Sequence, residues 1–366
     1  MPTITVMIKP ASGNCNMNCT YCFYKDEMNK RKTGSYGIMS FSTLEAVVKN
    51  ILKFADKECT IAFQGGEPTL AGLQFYEHLI EIQNRYNSKK VKINNVIQTN
   101  GYGIDDAWAE FFAKNHFLVG LSFDGIKEVH DRYRLNASGE GTYNRILHTV
   151  QLLKKHHVEF NVLTVITAQT VKKIKKIYSF FQKNQLLFQQ YIPCLDPIGE
   201  ERGKHNYSLT PALYLDFLKD LFDIWYLDVI AGKEVHNRYF ENLLQILAGG
   251  YPESCGMAGI CSRQFVIEAD GSVYPCDFYA LDEWRLGNLT TDNIEIIEEK
   301  REELGFVQIS QHVHEDCKSC KWYFLCRGGC RRDFVPDLEG YLLKNYFCQA
   351  YYSFFEYAYS RLRSII

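Results

Sequence analysis

Along its first two hundred residues the chain alternates short β-rich runs with longer amphipathic stretches. Apolar residues at every second position, or in short unbroken runs, predict strands over 3–8, 60–63, 91–98, 118–122, 160–166 and 187–192. Between them, apolar residues at helical spacing predict helices over 41–54, 72–85, 105–114, 143–156 and 171–184. Ser42 and Asp105 are the expected N-terminal caps. Strands alternating with helices imply a parallel sheet with right-handed crossovers, either open or curled into a partial barrel. In such folds the chemistry gathers at the C-terminal ends of the strands. Cys15, Cys19, Cys22, the Gly65–Gly66 pair, Asn100 and Asp124 are expected there.

After Asp196 the pattern changes. A polar stretch reads as a loop, and helix-like segments follow at 212–230 and 239–247. From Gly250 the chain is irregular, with a hairpin pattern over 264–276 whose Asp270–Gly271 pair suits a tight turn. An aromatic helix is expected from about Cys348 to Leu362. These changes suggest an α/β domain over 1–235 and a cysteine-rich C-terminal domain over 236–366.

Composition narrows the classes. The 366 residues are 46% hydrophobic and 23% charged, as expected of a globular protein with a filled core. A net charge of −2, from 41 basic and 43 acidic side chains, gives no reason to expect nucleic acid as a partner. The opening residues have neither a long apolar run nor a small-residue cleavage site, and no apolar run reaches the roughly 18 residues of a membrane span. No membrane association and a cytoplasmic location are the corresponding expectations. Thirteen cysteines then point to metal or redox chemistry rather than disulfides.

Three of the thirteen form Cys15-x3-Cys19-x2-Cys22. Three thiolates can hold three irons of a [4Fe–4S] cluster and leave the fourth open, the logic that also separates catalytic from structural zinc sites. The other reading is a zinc site completed by a distant histidine. The nearest downstream candidates, His78 and His116, fall on a predicted helix and just before a predicted strand. With Tyr21 before the last cysteine, the triad resembles the signature of the radical S-adenosylmethionine superfamily. Gly65-Gly66-Glu67-Pro68 resembles its segment that hydrogen-bonds the methionyl amine. Ser122-Phe123-Asp124-Gly125 and His130 to Arg134 resemble its later cofactor-contacting stretch. The resemblance implies a partial (β/α)6 barrel and S-adenosylmethionine at the open iron. It also implies Ser122 and Arg134 on the methionyl carboxylate, and further cofactor contacts from Tyr21, Gly66 and Leu195.

Eight more cysteines, at 255, 261, 276, 317, 320, 326, 330 and 348, divide evenly into two groups of four. Two structural zinc sites would also accommodate the Cys-x2-Cys pair. The spacing, with Gly271 between Cys261 and Cys276, resembles the SPASM extension, which carries two auxiliary [4Fe–4S] clusters. By that resemblance Cys255, Cys261, Cys276 and Cys330 hold one, and Cys317, Cys320, Cys326 and Cys348 the other. The chain would then carry three [4Fe–4S] clusters, the two auxiliary ones fully thiolate-ligated and suited to electron transfer. Cys59 and Cys194 fit no spacing; a buried apolar role suits Cys59.

Within the superfamily the chain resembles the anaerobic sulfatase-maturating enzymes. Gln264 to Glu268, Tyr274 to Tyr279 and Trp284 to Asn288 carry the likeness. It implies oxidation of a cysteine or serine in a sulfatase Cys/Ser-x-Pro/Ala-x-Arg motif to Cα-formylglycine. Asp277 would be the general base, and a flavodoxin or ferredoxin the electron donor. Gln64, Gln98 and Asn100 could also bind substrate backbone, Tyr24 could line the peptide channel, and His312 and His314 would decorate a loop. Two rivals are a SPASM enzyme that crosslinks or epimerises a ribosomal peptide and a non-catalytic iron–sulfur or zinc module. With the triad starting at Cys15, no leader-binding domain is expected before it, which favours the first reading.

Overall fold

A computed structural model describes residues 4–336 and 342–366. The expected first strand is present as β1 (Ile4–Ile8), and Thr3 lies outside the described residues. The chain forms two compact units assembled from non-contiguous segments.

The first unit comprises the chain up to Phe123 with His130–Asn161 and Arg263–Gly305. It contains β2 (Glu58–Phe63), β3 (Lys92–Thr99) and β4 (Leu118–Ser122), which continue from β1 in parallel. Late in the chain come β8 (Phe265–Ile267), β9 (Ser272–Tyr274) and β10 (Gly287–Asn288). Strands run in the order β10-β9-β8-β1-β2-β3-β4. The hairpin read over 264–276 is the β8–β9 antiparallel pair, and β8 pairs in parallel with β1, matching Val6 to Phe265. The sheet is therefore mixed and open. That long-range pairing is not visible in the local pattern.

Helices α1 (Phe23–Lys30), α2 (Phe41–Phe54), α3 (Leu73–Tyr86) and α4 (Asp106–Lys114) follow the first strands. The buried set on α2 is Leu44, Val47, Val48, Ile51 and Leu52, spaced to form one apolar face. Asp105 caps α4 by accepting from the Trp108 N–H. The expected cap Ser42 is corrected to Ser40, whose hydroxyl accepts from the Thr43 N–H at 3.0 Å, because α2 begins one residue before Ser42. Two short helices, α1 and α5 (Lys127–Tyr133), had no clear periodic signal. They are only about two turns long. Helix α6 (Tyr143–Lys155) matches its expectation closely.

The second unit comprises Asp124–Val129, Val162–Ser262 and Phe306–Ile366. In it β6 (Phe188–Pro193) pairs in parallel with the end of β5 (Phe160–Ile166) and with the short β7 (His236–Asn237). Helix α7 (Ala168–Lys183) starts three residues earlier than expected, since Thr167 caps it. Its lysines, Lys172, Lys173, Lys175 and Lys176, are exposed or half-buried. Helices α8 (Pro211–Ile230) and α9 (Arg238–Leu247) pack with the C-terminal helix Cys348–Arg363 through Phe222, Phe240 and Phe354. Arg361 on that helix pairs with Asp223 at 2.8 Å. No helix among the described residues is long and apolar enough to cross a membrane.

Candidate active site and cluster sites

The cysteine triad lies on the loop after β1, with Cys15 exposed and Cys19 and Cys22 half-buried. Backbone bonds tie this loop to the segment around Arg134: Asn18 N–H donates to Leu135 O at 2.7 Å and Thr20 N–H to Tyr133 O at 3.0 Å. The Tyr21 ring lies 5.7 Å from that of Tyr133, tilted by 58°, and the Arg134 guanidinium lies 5.5 Å above the Tyr21 ring. These contacts gather two of the expected cofactor-contacting residues, Tyr21 and Arg134, beside the triad.

The Gly65–Gly66 turn approaches the same loop. Gly66 has φ +52°, and a Cβ there would sit 2.1 Å from Asn14 O. Only glycine allows this approach, which lets Glu67 N–H donate to Asn14 O at 2.8 Å. Glu67 itself points inward. Its carboxylate accepts from Thr69 N–H and Oγ1, Thr99 Oγ1 and the Asn100 N–H, all within 3.1 Å. Burial raises its pKa against these four donors. The side chain thus fastens the turn after β2 to the end of β3. Ser122 Oγ accepts from Gln98 Nε2 at 3.0 Å.

Asp277 follows the hairpin strand β9 and is 5% exposed. Its Oδ2 accepts from Tyr24 Oη at 2.6 Å and Gln64 Nε2 at 2.9 Å, while Oδ1 has no hydrogen-bond partner among the described residues. Burial raises its pKa above the ordinary carboxylate range, opposed by Lys9 and by the Tyr24 hydrogen bond. Gln64 and Tyr24, considered from the sequence as substrate contacts, are brought to this carboxylate.

Four residues around Asp277 carried no signal of their own in the chain pattern or only a family likeness: Lys9, Glu27, Arg31 and Glu268. Lys9 Nζ is 3.1 Å from Glu268 and 3.5 Å from Glu27, and lies 4.8 Å over the Tyr24 ring. Arg31 reaches Glu268 at 2.5 Å. Burial opposes ionisation throughout, but Lys9 and Arg31 together hold Glu268 below its usual pKa. Glu27 has no comparable set of partners, and burial pushes it up to about 8. A lysine closing an alternating strand and a glutamate on a short helix both look solvated in sequence, so only the tertiary pairing reveals them.

In the second unit, Leu195 is half-buried and precedes Asp196, which accepts from the Gly203 N–H at 2.9 Å. Asp124 Oδ1 accepts from the Val165 N–H at 3.0 Å. Cys255, Cys261 and Cys330 line one small cavity with Ser310, His312 and Arg331. Gly259, φ +73°, admits the backbone of Arg327, whose O would lie 2.2 Å from a Cβ. Cys317, Cys320, Cys326 and Cys348 form a second gathering. Burial raises the Cys317 thiol, and the charges of Cys348 and Cys320 raise it further. Burial pushes Cys326 up to about 12, again with Cys348, Cys317 and Cys320 adding to it. Thiols that suppress one another's ionisation fit a cationic centre, which restores the thiolate form on binding. His314 caps a helical turn by accepting from the Asp316 N–H. Cys276 lies in the first unit, directly before Asp277. Cys59 is buried in β2, in line with its apolar reading.

Residues 10–181 match the Radical SAM superfamily model, and 255–321 match that of an iron–sulfur cluster-binding domain named SPASM. A cysteine-type anaerobic sulfatase-maturating enzyme of Clostridium perfringens is 49% identical over 365 residues, covering 100% of this chain and 99% of the relative. The chain belongs to the anaerobic sulfatase-maturating enzymes. A serine-type anaerobic sulfatase-maturating enzyme of Bacteroides thetaiotaomicron is 30% identical over 369 residues, covering 96% of this chain and 88% of that one. The solved structure of native anSMEcpe with bound AdoMet and Cp18Cys peptide superposes with a TM-score of 0.95 at 49% identity, covering 100% of this chain and 99% of its own. Membership of the anaerobic sulfatase-maturating family accounts for the α/β fold and for the cysteine groups at both ends of the chain.

Proposed function

We propose that this protein is a cysteine-type maturase that oxidises the cysteine of a sulfatase Cys-x-Pro-x-Arg motif to Cα-formylglycine. The higher identity to the cysteine-type relative, 49% against 30% for the serine-type one, supports that choice of side chain. Cys15, Cys19 and Cys22 would hold the cluster with an open iron. Cys317, Cys320, Cys326 and Cys348 would hold one auxiliary cluster, and Cys255, Cys261 and Cys330 another. Assignment of Cys276 to the latter rests on the resemblance to the SPASM extension. Tyr21, Gly65, Gly66, Ser122, Arg134 and Leu195 would position S-adenosylmethionine, with Glu67 bracing the turn. A cytoplasmic location and a flavodoxin or ferredoxin as electron donor belong to the same reading, as does the division into a core over 1–235 and a cluster domain over 236–366.

When bound, S-adenosylmethionine on the open-iron cluster supplies the radical that removes a Cβ hydrogen, and the auxiliary clusters supply an acceptor for one electron. The chain's own contribution centres on Asp277. Tyr24 and Gln64 pin Oδ2, so Oδ1 is the oxygen left to take the substrate thiol proton. Burial strengthens it as a base. Deprotonation makes a carbon radical beside sulfur strongly reducing, so its electron leaves readily. The resulting thioaldehyde then exchanges sulfur for the oxygen of water, releasing hydrogen sulfide.

The observation that carries this reading is the buried Asp277 carboxylate directly after Cys276, with one fastened oxygen and one that has no hydrogen-bond partner among the described residues. The anaerobically reconstituted enzyme should convert the cysteine peptide to its aldehyde faster than the serine peptide, read by mass spectrometry. Asp277→Asn should abolish the aldehyde while 5′-deoxyadenosine still forms. Aldehyde formation by Asp277→Asn at the wild-type rate would overturn the base assignment, and deoxyadenosine without modification of either peptide would overturn the substrate.

A further inference from the structure

Asn100 follows β3 and is a buried asparagine that the proposed chemistry leaves without a role. Its side-chain Oδ1 accepts from the Tyr102 N–H at 2.8 Å, which fixes the orientation of the amide. The Nδ2 group therefore faces the cysteine loop. One of its hydrogens reaches Asn16 Oδ1 at 2.8 Å, and the other Cys15 Sγ at 3.5 Å, a normal separation for a bond to sulfur. The backbone is held as firmly, since the Asn100 N–H donates to Glu67 Oε2 at 2.8 Å and the neighbouring Thr99 hydroxyl to Oε1 at 2.7 Å. Glu67 thereby holds in place a donor aimed at the first cysteine of the triad. The Met17 N–H is a second donor to the same sulfur, at 3.4 Å.

The geometry points to Asn100 as a positioning residue that tunes the reduction potential of the cluster held by Cys15, Cys19 and Cys22. This rests on the proposed reading of the triad as cluster ligands. Hydrogen bonds to a ligating sulfur stabilise the more negative, reduced cluster and raise its potential. Such a donor eases delivery of the electron that starts each turnover. Asn100 then serves the cluster rather than the peptide backbone, the role considered for it from sequence.

The test is an anaerobic redox titration of the reconstituted holoenzyme, followed by electron paramagnetic resonance. Only the open-iron cluster changes its signal when S-adenosylmethionine is added, so its titration separates from those of the auxiliary clusters. Asn100→Leu removes the donor without adding charge. It should shift the cofactor-responsive signal to a more negative midpoint and leave the other midpoints in place. Asn100→Asp keeps the shape and the acceptor for Tyr102 N–H, and should shift the same signal further in the same direction. An unshifted midpoint in Asn100→Leu at wild-type iron content overturns the inference. Should Asn100→Leu lose iron, an unshifted Asn100→Asp overturns it. A wild-type enzyme with no cofactor-responsive signal would instead remove the reading of the triad itself.

Discussion

Glu27→Gln asks whether the charge cluster under the base carries a proton. Two cations, Lys9 and Arg31, face three carboxylates, Glu27, Glu268 and Asp277. Glu268 engages both cations, at 3.1 and 2.5 Å. Glu27 has Lys9 at 3.5 Å, and neither of its oxygens has a hydrogen-bond partner among the described residues. Burial lifts its pKa from 4.5 to about 8. The folded chain thus keeps a proton that the unfolded chain gives up near 4.5. The stabilisation is complete below that pH and is lost as pH rises through 8. Across the window the slope is about 1.4 kcal/mol per pH unit, with a total on the order of 5 kcal/mol. This total is an upper bound, because Lys9 and Asp277 share the same charge balance. Glutamine has nearly the same shape and cannot ionise, so the variant should lose this slope. Hydrogen exchange of the β1 and α1 amides, corrected for intrinsic rates, reads it in the anaerobic holoenzyme between about pH 6.5 and 8. Wild type should weaken with rising pH relative to the variant by about 1 kcal/mol per unit, leaving Glu27→Gln the more stable at the upper end. A variant several kcal/mol less stable at every pH, with the wild-type slope, would refute this. That result would mean an ionised Glu27 whose removal strands Lys9.

Two further outcomes follow from the site. Gly66→Ala places a Cβ 2.1 Å from Asn14 O. It should displace the cysteine loop, and iron analysis with spectroscopy should find the cofactor-responsive cluster missing. Gly72→Ala also has positive φ, +84°, but no heavy atom within 4 Å, so it should keep that cluster at a cost on the order of 1–3 kcal/mol in stability. Tyr24→Phe removes the 2.6 Å bond to Asp277 and should slow peptide oxidation about 10- to 100-fold, as expected for a lost charge-assisted hydrogen bond. Deoxyadenosine formation without peptide should be unaffected, and an unchanged oxidation rate would remove Tyr24 from the positioning of the base.

Elements with strong periodicity were legible in the sequence: α2, β4 and β5 begin and end where the pattern puts them. The clustering of cysteines near both ends of the chain was legible too, while their division into two groups of four came only from the resemblance to the SPASM extension. The partners of Asp277 were less so. Gln64 and Tyr24 drew attention, but as substrate contacts, because nothing local says that a carboxylate 213 and 253 residues later will accept from them. Lys9 and Glu27 were missed for a related reason. A charged residue reads as solvated unless its counter-charges are near in sequence; here Glu268 reaches Lys9 through the β1–β8 pairing, and Lys9 in turn faces Glu27. The cap falls at Ser40 rather than at the expected Ser42, since hydroxyls two residues apart offer the same local signal.

The pairing of β8 with β1 also has a consequence for the growing chain. Tyr24 emerges from the ribosome 253 residues before Asp277. At about 5–20 residues per second, that interval is on the order of ten to fifty seconds. Throughout it, the outer edge of β1 lacks its later neighbour, and Lys9 waits without Glu268. An open strand edge is an invitation to wrong partners. The lysine at its end, solvated until the hairpin arrives, is the kind of charge that discourages them. The same residue would thus guard the strand during synthesis and lie buried beneath the base once synthesis is complete.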